Sequence, residues 1–174
     1  MIMAIYHLEA KVVSRGAGRS ACAASAYLSC SAIYNDYDGV QHDYTRKGGL
    51  VWGQVFLPEF APAAWQDREI LWNAVEENEK TKDSRLAREF VPALPVELTL
   101  EQWKELLSEF IQDSFVSDGM CADVAIHDPD PPGHNPCVIS HDLHCDLPRG
   151  KTGEMGSRTA SDPGMYSGHY GYDE

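Results

Sequence analysis

The sequence predicts an α+β fold, a mostly antiparallel sheet with helices covering one face. Three observations point to it. Residues 3–13 alternate as a half-packed strand does, with Tyr6, Leu8, Ala10 and Val12 on one side and His7, Glu9 and Lys11 on the other. "CADVAIH" alternates too, setting Asp123, Ala125 and His127 on one face. Between them, Trp103, Leu106, Leu107, Phe110 and Ile111 recur at helical spacing. These segments do not follow one another as regular strand-helix units, as a doubly wound parallel sheet requires.

The elements follow in order. After the first strand, Ser20 is positioned to cap a helix running from Ala21 to about Ile33, rich in good helix formers. "YNDYDG" has the composition of a turn. "GGLVWGQVFLP" reads as a strand with Gly53 as its weak point, and Pro62 opens an amphipathic helix over "AAWQDREILWNAVEENEK". "LAREFVPALP" is extended, and Pro92, which cannot donate to a ladder, restricts it to a sheet edge. Thr99 and Gln102 form a capping-box pattern ahead of the periodic helix, whose apolar stripe is core. "DPDPPGHNP" is loop, and from Lys151 onward Gly, Ser, Asp and Tyr dominate without apolar period. The expected organisation is one folded domain over residues 3–147 and a disordered or divergent tail over 148–174, without internal repeats.

No window approaches the run of about 18 apolar residues that spans a bilayer, so no membrane partner is expected. The apolar start carries His7, Glu9 and Lys11 and lacks a signal peptide's basic region and cleavage site, which suits the cytoplasm. Five scattered cysteines, none in a CxxC pair, fit reduced thiols. A net charge of −13 argues against nonspecific nucleic-acid binding, which needs basic groups to neutralise phosphates. The first sixty residues, however, hold five basic and five acidic side chains, and the basic ones (Lys11, Arg15, Arg19, Arg46 and Lys47) flank two glycine turns. A local basic site on an acidic protein follows from that distribution.

The stretch "SRGAGRSACAASAY" runs from the first strand through a glycine turn into the helix. Backbone N–H groups at a helix start, with Arg15 and Arg19 beside them, can receive an anion. Gly16 to Ala21 also fits the GxGxxA fingerprint of dinucleotide-binding proteins, with Asp36 about where a ribose-binding acid belongs, and an ordinary glycine turn with solvated arginines reads the same way. Tyr27 and Tyr34, seven apart, share a helix face if the helix runs that far. They are packing residues or, beside an anion site, nucleophiles toward a phosphodiester. His127, His134, His141 and His144 crowd with Cys137 and Cys145 into nineteen residues, a donor set suited to a divalent metal. A structural zinc site of Cys137, His141, His144 and Cys145 competes with a catalytic one, and with a loop that is merely rich in histidine.

"MAIYHLEAKVVSRGAGRSACAASAY", "HDYTRKGGLVWGQVFLP", "LWNAVEENEKTKDSRLAREF", "ALPVELTLEQWKELLSEFIQDSFVSDGMCADVAIHD" and "HNP", in that order from Met3 to about Pro136, resemble the N-terminal relaxase domain of MobA/MobL and TraA-type plasmid mobilisation proteins. The resemblance implies a relaxase (HUH endonuclease)-like fold and an enzyme that nicks single-stranded DNA at a plasmid transfer origin, with accessory mobilisation proteins as further partners. It implies that Tyr27 attacks the scissile phosphate and stays linked to the 5′ end, with Tyr34 the nearest substitute. It implies a divalent ion (Mg, Mn or Zn) held by three histidines, the first His127, with His134, His141 and His144 as the remaining candidates. Glu89 or Glu97 would orient a ligand or take a proton, and Lys11, Arg15, Arg19, Arg46 and Lys47 would hold the DNA backbone. The family's "NPHxH" strand is replaced by "NPCVISHDLHCD", and relatives often carry an acid where Val91 stands. His141 and His144, three apart, point to opposite faces of a strand. These departures imply a truncated or frame-disrupted relaxase with weak metal binding and slow or absent cleavage.

Overall fold

A computed structural model describes residues 8–128 in full and residues 137–143 through their backbone. Seven strands and three α-helices follow in the order β1 (Leu8–Ser14), α1 (Ala21–Ser29), β2 (Ala32–Asn35), β3 (Val40–Asp43), β4 (Leu50–Phe56), α2 (Arg68–Asn78), β5 (Arg85–Pro92), α3 (Leu100–Ile111), β6 (Cys121–His127) and β7 (Cys137–Leu143). Five strands form one sheet in the order β1-β5-β7-β6-β4, every neighbour antiparallel, and β2 and β3 form a separate hairpin. The expected α+β class and antiparallel sheet are those observed.

Every residue of β6 is buried. Its apolar residues lie on both sides, so both need cover. On one side α1 and α2 pack Ala21, Cys22, Ala26, Leu71, Trp72 and Val75 against Val13, Val55, Ala87 and Cys121. On the other, α3 brings Leu107 and Ile111 onto Ala122, Val124 and Ile126, with Trp52 and Phe56 beside them. The helical cover thus extends to the second face. Each fully buried Leu or Ile in these layers stabilises the fold by about 1.5–3 kcal/mol.

Several local expectations are corrected. α1 stops at Ser29, not near Ile33, because Cys30 takes a left-handed conformation (φ 51°) and closes the helix. Ile33 then pairs with His42 in the hairpin, and β3 had no expectation at all. Pro62 opens a short 3-10 turn that buries Trp65; α2 itself begins at Arg68, where the Asp67 carboxylate accepts from the N–H groups of Glu69 (2.8 Å) and Ile70 (3.3 Å). β5 lies inside the sheet between β1 and β7, and Pro92 is tolerated because it is the last residue of the strand. β1 alternates, but its apolar set faces solvent at the sheet edge: Leu8 and Val12 are exposed and Val13 is the buried residue. The capping box at Thr99 forms as expected. His7 and the tail lie outside the described residues.

Candidate functional site

Both ends of α1 carry polar chemistry, and they differ. At its start the glycine turn delivers Arg15 and Arg19, with Gly18 in the left-handed region (φ 71°) that a side chain would resist. The buried carboxylate of Glu76, from α2, accepts from the Ala21 N–H at 2.7 Å and from Arg15 Nη2 at 2.8 Å. Arg15 also donates to the backbone carbonyls of Glu76, Glu79 and Thr81, capping the end of α2, and stacks on Tyr37. Arg19 pairs with Glu89 at 2.7 Å. The anion invited by this helix start is therefore the protein's own Glu76. The dinucleotide reading falls with it: β1 pairs antiparallel with β5, β2 sits in a different sheet, and no β-α-β unit exists around the turn.

The far end of α1 is fixed by Asp123 on β6. This fully buried carboxylate accepts from Ser25 Oγ (2.6 Å), Trp72 Nε1 (3.0 Å) and Arg68 Nε (2.8 Å), tying α1 and α2 to the sheet. Gly53 makes room for the Arg68 arm, since a Cβ there would stand 3.3 Å from Nη2. Asp123 is thus a joint beneath the helices, not part of the open polar face that its alternation with His127 suggested.

Two residues beyond Ser25, Tyr27 is 47% exposed, and two turns of β6 pleat beyond Asp123, His127 is 8% exposed. The imidazole Nε2 lies 2.6 Å from the Leu28 carbonyl. A carbonyl only accepts, so Nε2 carries the hydrogen and the lone pair is on Nδ1. Nδ1 faces the Lys47 ammonium at 3.4 Å, and the same ammonium sits 4.2 Å from the centre of the Tyr27 ring. Burial first, and the Lys47 charge second, hold the His127 pKa below its ordinary value against the opposing Leu28 contact, so the ring is neutral at pH 7. Tyr44 packs edge-on against Tyr27, centroids 5.3 Å apart. The segment carrying Tyr44 and Lys47 is pinned at both ends, by Tyr44 N–H to the Ser31 carbonyl (3.0 Å) and by Asp128 N–H to the Gly49 carbonyl (2.8 Å).

Other candidates are dispersed. Tyr34 lies on β2, not on α1, and its backbone is docked on α2 through Glu69 and Asn73. Glu89 faces the same side of the sheet as α1 and is held by Arg19. Glu97 is exposed in the turn before α3, on the other side. Lys11 pairs with Glu9 at the exposed edge, and Arg46 is exposed beside Lys47.

Among the described residues the candidate ligands stand apart. In the register, Cys137 stands opposite His127, Ile139 opposite Ala125, and His141 opposite Asp123 and Glu89. Four residues of strand, about 13 Å, separate positions 137 and 141, so His141 is remote from His127 and the Cys137/His141 half of the zinc alternative is pulled apart. His134, His144 and Cys145 lie outside the described residues. Among the described residues no three His, Cys, Asp or Glu side chains gather as a metal site. Sequence reasoning missed Glu76, Ser25 and Tyr44. Glu76 had a legible signal, an acid four residues after Trp72 on the apolar stripe of α2; Ser25 and Tyr44 had none.

The MobA/MobL family model matches residues 19–145. Among curated relatives, the chain is similar to the mobilization protein MobL of Acidithiobacillus ferridurans, 46% identical over 127 residues, covering 73% of this chain and 33% of the relative. It is 40% identical to a probable mobilization protein MobA of Bifidobacterium longum, covering 77% of this chain and 24% of the relative. It is also 39% identical to the conjugal transfer protein TraA of Rhizobium radiobacter, covering 72% and 12%. The chain therefore spans a third or less of the length of these relatives. A solved structure from work on the molecular basis of vancomycin resistance transfer in Staphylococcus aureus superposes with a TM-score of 0.79 at 33% identity, covering 91% of this chain and 79% of that one.

Proposed function

The chain belongs to the MobA/MobL family, and from that premise we propose that it is the strand-nicking part of a plasmid mobilisation protein, acting in the cytoplasm on single-stranded DNA at a transfer origin. Tyr27 is the nucleophile. Its phenolic oxygen forms a bond to phosphorus as the bond from phosphorus to the 3′ oxygen breaks; the phenolic proton passes to water and the departing 3′ oxygen takes one up. The DNA stays linked to Tyr27 through its 5′ phosphate, and the leaving strand returns along the same path when it is rejoined.

One observation carries this reading: a half-exposed phenol and a neutral imidazole from distant parts of the chain meet at one ammonium. His127, Leu28 and Tyr44 hold the geometry, and Arg46 offers a backbone contact beside it. Arg15 and Arg19, each already paired with a carboxylate, serve the fold. His127 would be the first ligand of a divalent ion, which would draw charge from the scissile phosphate. Cleavage is expected to be slower than in relatives with a complete histidine set. Accessory mobilisation proteins would open the duplex and deliver the strand. Among the described residues no helix is long and apolar enough to cross a membrane.

The test is a covalent adduct on a denaturing gel after incubation with single-stranded origin oligonucleotides. The wild-type chain is expected to form it and Tyr27→Phe to lose it. Equal adduct from both would remove Tyr27 as the nucleophile.

A further inference from the structure

We propose that in this chain the Lys47 ammonium, in place of a three-histidine metal centre, supplies the positive charge that receives the scissile phosphate. The inference rests on the nicking reading above and deepens it. His127 offers one free lone pair, on Nδ1, because Nε2 is spent on the Leu28 carbonyl. That lone pair already faces Lys47 Nζ at 3.4 Å. A divalent ion bound there would stand against an ammonium, a repulsion that grows as the site closes to water. The sheet positions on the same face that would add histidines are occupied by Cys137, opposite His127, and Ile139, opposite Ala125.

Lys47 also differs from the cations of β1, the glycine turn and α2. Lys11, Arg15, Arg19 and Arg68 each reach a carboxylate. The neighbours of Lys47 are an imidazole, a thiol at 3.9 Å (Cys30) and the face of an aromatic ring, and no carboxylate among the described residues lies within ion-pair reach. It is half-buried, so its charge is screened less than that of a surface lysine. A phosphodiester brings the missing negative charge. Held over the Tyr27 ring, the ammonium stands where charge builds on the non-bridging oxygens as the phenolic oxygen attacks, and it binds them more tightly in the transition state than in the ground state.

The experiment measures binding of a fluorescent single-stranded oligonucleotide and adduct formation, each with EDTA and with Mn2+, for the full chain and for Lys47→Met and Lys47→Arg. Thermal unfolding of both variants checks that they fold. EDTA is expected to leave wild-type binding unchanged, Lys47→Met to weaken it about tenfold, and Lys47→Arg to restore most of it. Binding that EDTA abolishes, or that Lys47→Met leaves intact, overturns the proposal. Adduct formed by Lys47→Met at the wild-type rate also overturns it and leaves nicking standing. Lys47-dependent binding without any adduct overturns the nicking reading and, with it, this inference, and so does a chain that binds no oligonucleotide.

Discussion

Both ends of α1 carry cations, and the fold treats them in opposite ways. At the start, two arginines and the Ala21 N–H meet Glu76 and Glu89 from elements 55 to 70 residues away. Their charge is matched inside the fold, and the turn is a joint. At the end, an ammonium meets an aromatic ring, the Nδ1 of an imidazole and a thiol, none of them a carboxylate. A cation in a glycine-rich turn marks a ligand site only when the fold does not already supply its counter-charge. That decides between two places which the chain makes look alike.

The contrast is sharpest in what each end does when broken. Tyr27→Phe is expected to lower adduct formation by at least about a thousandfold, with stability changed by less than about 0.5 kcal/mol, since the residue is half exposed. Glu76→Ala should do the converse. It strands Arg15 and the Ala21 N–H, and urea unfolding should show a loss of about 3–5 kcal/mol, with Glu76→Gln milder because its amide oxygen still accepts. An unmoved urea midpoint in Glu76→Ala would mean that the helix start is open after all.

A smaller effect comes from pH. The folded-state pKa of His127 is depressed by burial and by Lys47, so below the unfolded value of about 6.5 the unfolded chain binds more protons than the folded one. The stability contribution of the neutral ring is present above that pH and is lost as pH falls toward the folded pKa. His127→Gln should flatten this acid slope in denaturation curves taken from pH 7.5 to 5, and an unchanged slope would show that the ring is not the group responsible. Smallest is Cys30→Gly, which relieves a left-handed non-glycine cap and should stabilise the chain by about 0.5–1 kcal/mol in thermal unfolding. A loss instead would mean that the thiol contact with Lys47 outweighs the strain.

Much of the architecture was legible from local pattern. The capping box at Thr99, the Ser20 cap and the stripe of α2 each express a rule that acts between neighbours in sequence. The failures lie where a local rule met a distant partner. Pro92 argued for an edge, yet β5 is flanked because Pro92 falls at its last rung. Leu8 and Val12 alternate properly and remain exposed, because among the described residues no helix covers that end of the sheet. Leu106 and Phe110 belong to the α3 stripe and are exposed as well, so the stripe is wider than the surface that receives it. At the site, the sequence points separately to Tyr27, His127 and Lys47, as nucleophile, ligand and phosphate contact. It does not show that Lys47 touches both others.

By itself the sequence determined most of the elements, the family and the inventory of chemical groups, since these rest on periodicity, capping and motif order along the chain. Only the tertiary structure decided which charges are answered within the fold and which are left over. Charge pairing depends on distance through space: Glu76 of α2 closed the start of α1, while β6 and the segment 44–49, meeting its other end, left an ammonium without a carboxylate.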